Sequence, residues 1–176
     1  MKPETNLQLK LDEDEARISD LFRELGWTPG LAESCTGGLL ATRITQVAGS
    51  SEYFLGCGVC DSNASKGSLF GVENQLLEAH GAVSREVALA LARGARLVFS
   101  SDLGLSITGI AGPGGGRPDK PVRTVFFGLV SPLVTYLEQA LIPGDRDEIR
   151  AASVARALEL IRLCFEGRLE SVGVSP

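Results

Sequence analysis

Residues 28–38, Thr28-Pro29-Gly30-Leu31-Ala32-Glu33-Ser34-Cys35-Thr36-Gly37-Gly38, together with the run Leu39 to Val47 behind them, decide the fold. TPGLAES is short and ends in SCTGG, after which apolar and polar positions recur with helical spacing, so the stretch predicts strand, tight turn, helix. Working outward toward the N-terminus, Asp12 to Glu15 place four acids ahead of Ile18, Leu21, Phe22 and Leu25. That i, i+3, i+4, i+7 stripe with an acidic start predicts an amphipathic helix ending near Gly26. Residues 1–11 are polar and low in pattern and are expected to fray.

Toward the C-terminus, YFLGCGVCDS predicts a second strand, SKGSLFG and NQLLEAH short helices, and Ser84 the N-cap of a helix carrying Val87, Leu91, Ala95 and Val98. Leu103 to Ile110 and Val122 to Val130 have the composition of buried strands. Leu133 to Ile142 predicts a third, paired with its predecessor across Ser131-Pro132, which makes the sheet mixed. A closing helix begins near Asp145, with Val154, Leu158, Ile161 and Phe165 on one face and Arg150, Arg156 and Arg162 elsewhere. The sum is a layered α/β domain with helices on both sheet faces.

At 176 residues the chain has the length of one domain, and 44% hydrophobic against 22% charged residues supplies a core and excludes wholesale disorder. Seventeen basic against 22 acidic residues give a net charge of −5. That balance argues against nucleic acid as a partner. Every apolar run is broken well before the ~18 residues a membrane span needs, and the first residues have no apolar signal core, so a cytoplasmic protein with no membrane partner is expected.

Cys35, Cys57, Cys60 and Cys164 are too sparse for a disulfide scaffold. Cys57 and Cys60 form a CxxC, but one motif and one histidine fall short of a structural zinc site, and no metal is expected. A redox role needs the motif to open a helix, whereas GCGVCDS follows a strand-like run; reduced strand thiols are the simpler expectation.

Three places can carry chemistry. In SCTGG, Ser34 or Thr36 can serve as a helix cap with Gly37 and Gly38 allowing close approach, or a hydroxyl or thiol can stand beside unpaired N–H groups that bind an oxyanion. A nucleophile needs a base. His80 is the lone histidine, beside Gly81 where a helix ends, and reads as a solvated helix-terminal residue. Of four lysines, Lys2 and Lys10 fall in the expected arm, leaving Lys66 and Lys120. Lys66, after a strand end in DSNASK, is either a surface lysine or a partly buried amine with a pKa low enough to deprotonate a serine.

The second place is Thr108-Gly109-Ile110-Ala111-Gly112-Pro113-Gly114-Gly115-Gly116, leading to Arg117 and Lys120. It lacks a P-loop or dinucleotide signature, so it is either a flexible turn or a backbone nest for phosphate or carboxylate at a strand end. The third is Gly144-Asp145-Arg146-Asp147-Glu148-Ile149-Arg150. There Asp145 and Glu148 are spaced as a capping pair, and Arg146 suits bidentate capture of an anion.

AESCTGG, AGSSEYF, SNASK, GVENQLLEAHGAVS, SITGIAGPGGG and GDRDEIR occur here in one order. That ordered set resembles the CinA C-terminal domain family, whose enzymatic members are nicotinamide-nucleotide amidohydrolases, over about residues 14–166. The resemblance implies a three-layer α/β/α domain with a mixed sheet, preceded by a flexible arm at 1–13 and followed by a tail at 167–176. It implies hydrolysis of nicotinamide mononucleotide to nicotinate mononucleotide and ammonia in pyridine nucleotide salvage, with no cofactor. It also implies that the nucleotide-hydrolase domain found ahead of this one in full-length relatives is absent.

Carried onto this chain, the resemblance makes Ser34 the nucleophile and Lys66 its base or proton shuttle, with the amides near Thr36 to Gly38 holding the oxyanion. Cys35, Thr36, Gly37, Gly38, Asn63, Thr108, Gly109, Gly112, Pro113, Gly115 and Arg146 are expected to contact the small nucleotide substrate. A symmetric homo-oligomer is also expected. Two positions depart from the family pattern: Asp61 stands where a tyrosine is usual, and Arg123 where a glycine is usual. A carboxylate near Lys66 favours the ammonium form, so Asp61 enters as an alternative base, or marks a catalytically impaired paralogue acting as a nucleotide-binding or regulatory module. Arg123 is expected to block or retune the pocket. Cys35 at a helix start is the alternative nucleophile.

Overall fold

A computed structural model describes residues 3–172, with side chains described from Asp14 onward. The strands are β1 (Pro29–Glu33), β2 (Gly56–Val59), β3 (Leu103–Gly109), β4 (Thr124–Val130) and β5 (Thr135–Leu141). The helices are α1 (Pro3–Leu25), α2 (Leu39–Gln46), α3 (Asn63–Phe70), α4 (Asn74–His80), α5 (Arg85–Val98) and α6 (Arg146–Phe165). One sheet runs β2-β1-β3-β4-β5. β1 pairs in parallel with both β2 and β3, while β3–β4 and β4–β5 are antiparallel, so the sheet is mixed as expected.

Every residue of β1 is buried because both its faces are covered. Successive side chains alternate sides. Leu31 packs into the larger core with Ile18 and Phe22 of α1, Leu40 of α2 and Leu158 of α6. Ala32 packs on the opposite face with Phe70, Leu77, Val87 and Leu91 of α3 to α5. α5 lies close on the sheet: a Cβ at Gly104 would strike the Ala92 carbonyl, and the Ser106 hydroxyl donates to the Ala88 carbonyl at 2.6 Å. Ser84 caps α5 as expected, its Oγ accepting from the Val87 amide.

Several expectations change. α1 begins at Pro3 rather than near Asp12, so the acidic run lies within the helix and does not face its N-terminal dipole. Glu15 is instead buried against Arg43 of α2, and Asp14 pairs with Arg162 at 3.3 Å. Leu25 and Val98, assigned to apolar stripes, lie at the last turns of their helices and are about half exposed. The second strand is only four residues long. The stretch before it forms a single 3-10 turn at Ser50–Glu52, and Tyr53 leaves the sheet to stack on Phe22 with ring centroids 5.3 Å apart.

The parallel half of the sheet sets the site. The C-terminal ends of β1, β2 and β3 lie side by side, which brings Ser34, Cys60 and Ile110 out at one edge. Open α/β sheets bind ligands at such strand ends.

Candidate active site

Ser34 is the first residue after β1, and its place is fixed by ladders continuing on both sides. Its amide donates to the Ile107 carbonyl of β3 at 3.0 Å, while the Glu33 carbonyl accepts from the Cys60 amide at 2.8 Å. Beyond it, the Gly37 amide closes a turn on the Ser34 carbonyl at 3.1 Å. Gly37 and Gly38 take φ of +61° and +96°, a left-handed pair that a Cβ would strain, and α2 starts from there.

Lys66 comes from α3, whose N-cap Ser62 accepts from the Ser65 amide. The helix directs the lysine inward, where it is 1% exposed. Its Nζ lies 2.7 Å from the Cys60 carbonyl, 3.0 Å from the Asp61 carbonyl and 3.2 Å from Ser34 Oγ. A neutral amine has two N–H bonds for the two carbonyls and a lone pair for the serine hydroxyl; an ammonium has three donors for the same three oxygens. The geometry serves both protonation states. Burial, the largest influence, pulls the lysine pKa below the ordinary lysine range, with Cys60, Asp61 and Cys35 acting the other way. Burial also raises the Cys60 and Cys35 thiols. Asp61 is itself exposed, and it meets Lys66 through its carbonyl.

Neither Ser34 nor Thr36 caps α2. The N-cap is Gly38, and the capping oxygen comes from Glu33, a fully buried carboxylate. Its Oε2 accepts from the amides of Gly38 at 2.9 Å and Leu40 at 3.3 Å, and its Oε1 from Ala41 at 2.9 Å. Sequence reading missed Glu33; its signal was an acid one residue before a glycine turn that opens a helix. The turn is held from the other side by Arg150 of α6, donating to the Cys35 carbonyl at 3.2 Å and the Thr36 carbonyl at 3.1 Å. Because a trans peptide directs its N–H opposite its C=O, this clamp turns the Thr36 N–H away from Arg150. Among the described residues that amide meets no acceptor, and the buried Thr36 hydroxyl is likewise unpartnered.

The thiols are free, as expected. Cys57 and Cys60 sit on opposite faces of the sheet, in different cores. Cys57 donates to Glu33 Oε1 at 3.5 Å. Cys35 does not have the lowered pKa expected at a helix start; burial pushes it up to about 12. Among the described residues no three His, Cys, Asp or Glu side chains are grouped as metal ligands would be.

The remaining expected residues separate. Thr108 is buried and donates to the Ala82 carbonyl at 2.9 Å, and Gly109 lies tight against Thr124 and Val125, so both are framework of the strand end. Asn63 and Gly115 line a groove with His80, Arg117 and Lys120, on one side of the glycine-rich loop. Pro113 and Arg146 line another with Arg123, at the start of α6. Gly112 links the loop to α6 through its carbonyl, which accepts from Arg146 Nη1 at 2.7 Å. His80 ends α4, half exposed and 3.5 Å from Glu86. Asp145 and Glu148 form the expected capping box of α6.

Comparison with known proteins agrees with this architecture. The model of the CinA C-terminal domain matches residues 11–165. A CinA-like protein of Citrifermentans bemidjiense is 50% identical over 151 residues, covering 86% of this chain and 36% of that protein. A putative competence-damage inducible protein of Caldanaerobacter subterraneus is 46% identical, covering 89% of this chain and 38% of its own length. The chain thus spans little more than a third of these relatives. Among solved structures, a competence/damage inducible protein of Agrobacterium tumefaciens superposes with a TM-score of 0.86 at 37% identity, covering 88% of this chain and 95% of that one. A CinA superfamily protein of Escherichia coli gives 0.83 at 28% identity, covering 88% and 89%. On sequence and fold together, the chain belongs to the CinA C-terminal domain family.

Proposed function

We propose that this chain is a serine amidohydrolase that cleaves the carboxamide of nicotinamide mononucleotide to give nicotinate mononucleotide and ammonia. The observation that carries the reading is the buried amine of Lys66 at 3.2 Å from Ser34 Oγ. The substrate is the one the family resemblance implies.

In this mechanism neutral Lys66 takes the Ser34 proton as Oγ attacks the amide carbon, and the oxyanion of the tetrahedral intermediate faces the Thr36 N–H. The amides of Gly37 and Gly38 are engaged by Ser34 and Glu33, which narrows the expected oxyanion donors to this one. The Lys66 ammonium then protonates the leaving nitrogen, the C–N bond breaks and ammonia departs, leaving a Ser34 ester. Water attacks the ester while Lys66 takes one of its protons; the ester bond breaks, that proton returns to Ser34, and the new carboxylic acid gives its remaining proton to solvent as nicotinate mononucleotide leaves as the carboxylate. Gly112, Pro113 and Arg146 are the residues proposed to hold the phosphate end of the substrate, and Asn63 and Gly115, which line the other groove, are not assigned to it.

A non-catalytic nucleotide-binding module is the rival reading, motivated by Asp61 acting on Lys66. Asp61 does act in that direction, but burial of the amine is the larger influence. The test is ammonia release from nicotinamide mononucleotide by the purified chain beside Ser34→Ala. Serine-dependent release is expected, and release at the buffer rate overturns the reading.

A further inference from the structure

Arg123 is one of two non-glycine residues, among those described, that take a positive φ; its value is +84°. The backbone is fixed there from both sides. Its amide donates to the Ile110 carbonyl at 2.8 Å, and its carbonyl accepts from the Ile142 amide at 3.0 Å. Whatever residue stands at this position must adopt the left-handed conformation, which glycine takes without strain and arginine does not. Strain of this kind persists where a side chain has a use that outweighs it.

Arg123 and Arg146 both line the groove of about 650 Å³ between the glycine-rich loop and the start of α6, with Ala111, Pro113 and Val122 as apolar walls. Among the described residues neither guanidinium lies within ion-pair distance of a carboxylate. Asp145 borders the same groove, but its carboxylate accepts from the amides of Asp147 at 2.9 Å and Glu148 at 3.0 Å. Arg146 has one Nη1–H on the Gly112 carbonyl and its other donors remain. An acidic chain of net charge −5 therefore keeps two unneutralised arginines in one apolar-walled groove. Two such forks match the oxygens of a phosphomonoester dianion.

Helix α6 links the groove to the turn after Ser34. Arg146 precedes Arg150 by one turn, about 6 Å along the helix axis, and Arg150 holds the carbonyl of Cys35 next to Ser34. We propose that Arg123 and Arg146 together form the subsite for the 5′-phosphate of a pyridine nucleotide, with Arg123 setting the preference for phosphorylated over unphosphorylated ligand. The identity of the ligand rests on the amidohydrolase reading; the anion subsite rests on the groove itself.

The test uses calorimetric binding of nicotinate mononucleotide, which cannot be deamidated, and of nicotinate riboside to the full chain, to Arg123→Gly and to Arg123→Lys. The wild-type chain is expected to prefer the phosphorylated ligand. Arg123→Gly should lose about tenfold or more of that preference with little change toward the riboside, and Arg123→Lys should keep part of it. Without ligand, Arg123→Gly should melt higher because the strain is gone; a lower melting temperature would show that the arginine serves packing and would overturn the proposal. An unchanged preference in Arg123→Gly, or none in the wild type, overturns it as well. If the wild type releases no ammonia yet shows an Arg123-dependent phosphate preference, the amidohydrolase reading fails and the subsite stands. Ammonia release with the same KM in Arg123→Gly as in wild type has the opposite meaning: the amidohydrolase stands and the subsite fails.

Discussion

Arg150 of α6 donates to the carbonyl of Cys35 at 3.2 Å across 115 positions of sequence, and with its second bond to Thr36 it sets which way the turn after the candidate nucleophile presents its amides. Removal of one oxyanion donor in an acyl-transfer site typically costs about 10²- to 10³-fold in kcat. Arg150→Ala, which frees the turn, is expected to lower kcat by about that factor with a smaller effect on KM. Arg150→Lys is expected to recover little, because a single ammonium lacks the planar fork that spans both carbonyls. Steady-state kinetics of ammonia release check both.

Ser34 and Lys66 act as one unit in the proposed mechanism, so their effects should not add. Ser34→Ala, Lys66→Met and the double variant are each expected to lose activity on the order of 10³-fold or more, and by similar amounts. Lys66→Arg should be as inactive as Lys66→Met, since a guanidinium does not deprotonate. An active Lys66→Met would remove the lysine from the mechanism.

Lys66 also couples activity and stability to pH. Its pKa in the folded chain lies below that of a lysine in the unfolded chain, so between the two values the unfolded state binds more protons. Folding stability contributed by this residue therefore rises with pH through that window and is lowest below it. Lys66→Met should flatten this rise and be more stable than wild type at neutral pH, as denaturant titrations at several pH values would show. The wild-type kcat/KM should climb with pH to a plateau, with its midpoint below the ordinary lysine range.

Glu33 carries the start of α2 on one buried carboxylate. Glu33→Gln puts an amide nitrogen among N–H donors and leaves at least one of them without an acceptor. Hydrogen bonds to a charged group are worth about 1.5 to 3 kcal/mol, so a loss of about 2 kcal/mol or more is expected by denaturant unfolding. Activity should fall with it, because the same carboxylate holds the Gly38 end of the turn.

Burial raises the Cys35 thiol to about 12, so almost none is thiolate at neutral pH. Iodoacetamide should modify it slowly, and Cys35→Ser should retain activity. Fast alkylation with matching loss of ammonia release would move the nucleophile to the thiol.

Local sequence determined most of the fold. The step from TPGLAES through SCTGG to the Leu39–Gln46 helix, the Ser84 cap, the hairpin across Ser131-Pro132 and the Asp145–Glu148 capping box are all set by residues within a few positions of one another, where backbone propensity and capping chemistry act. Ser34 and Lys66 were legible as a pair through the ordered motifs, and tertiary structure measured their approach.

What only the tertiary structure decided depends on distance in space. Whether Lys66 is a surface or a buried amine depends on α5 packing over α3, which no local pattern states. The partner that Glu15 finds in Arg43, the cap that Glu33 gives α2, and the clamp of Arg150 on Cys35 join segments through side chains whose sequence signature is only a charge. The split of the expected binding residues into two grooves, and the strained φ of Arg123, follow from where β3, β4 and α6 converge. Charge and hydrophobic period are written residue by residue, whereas burial and pairing are properties of the packed chain.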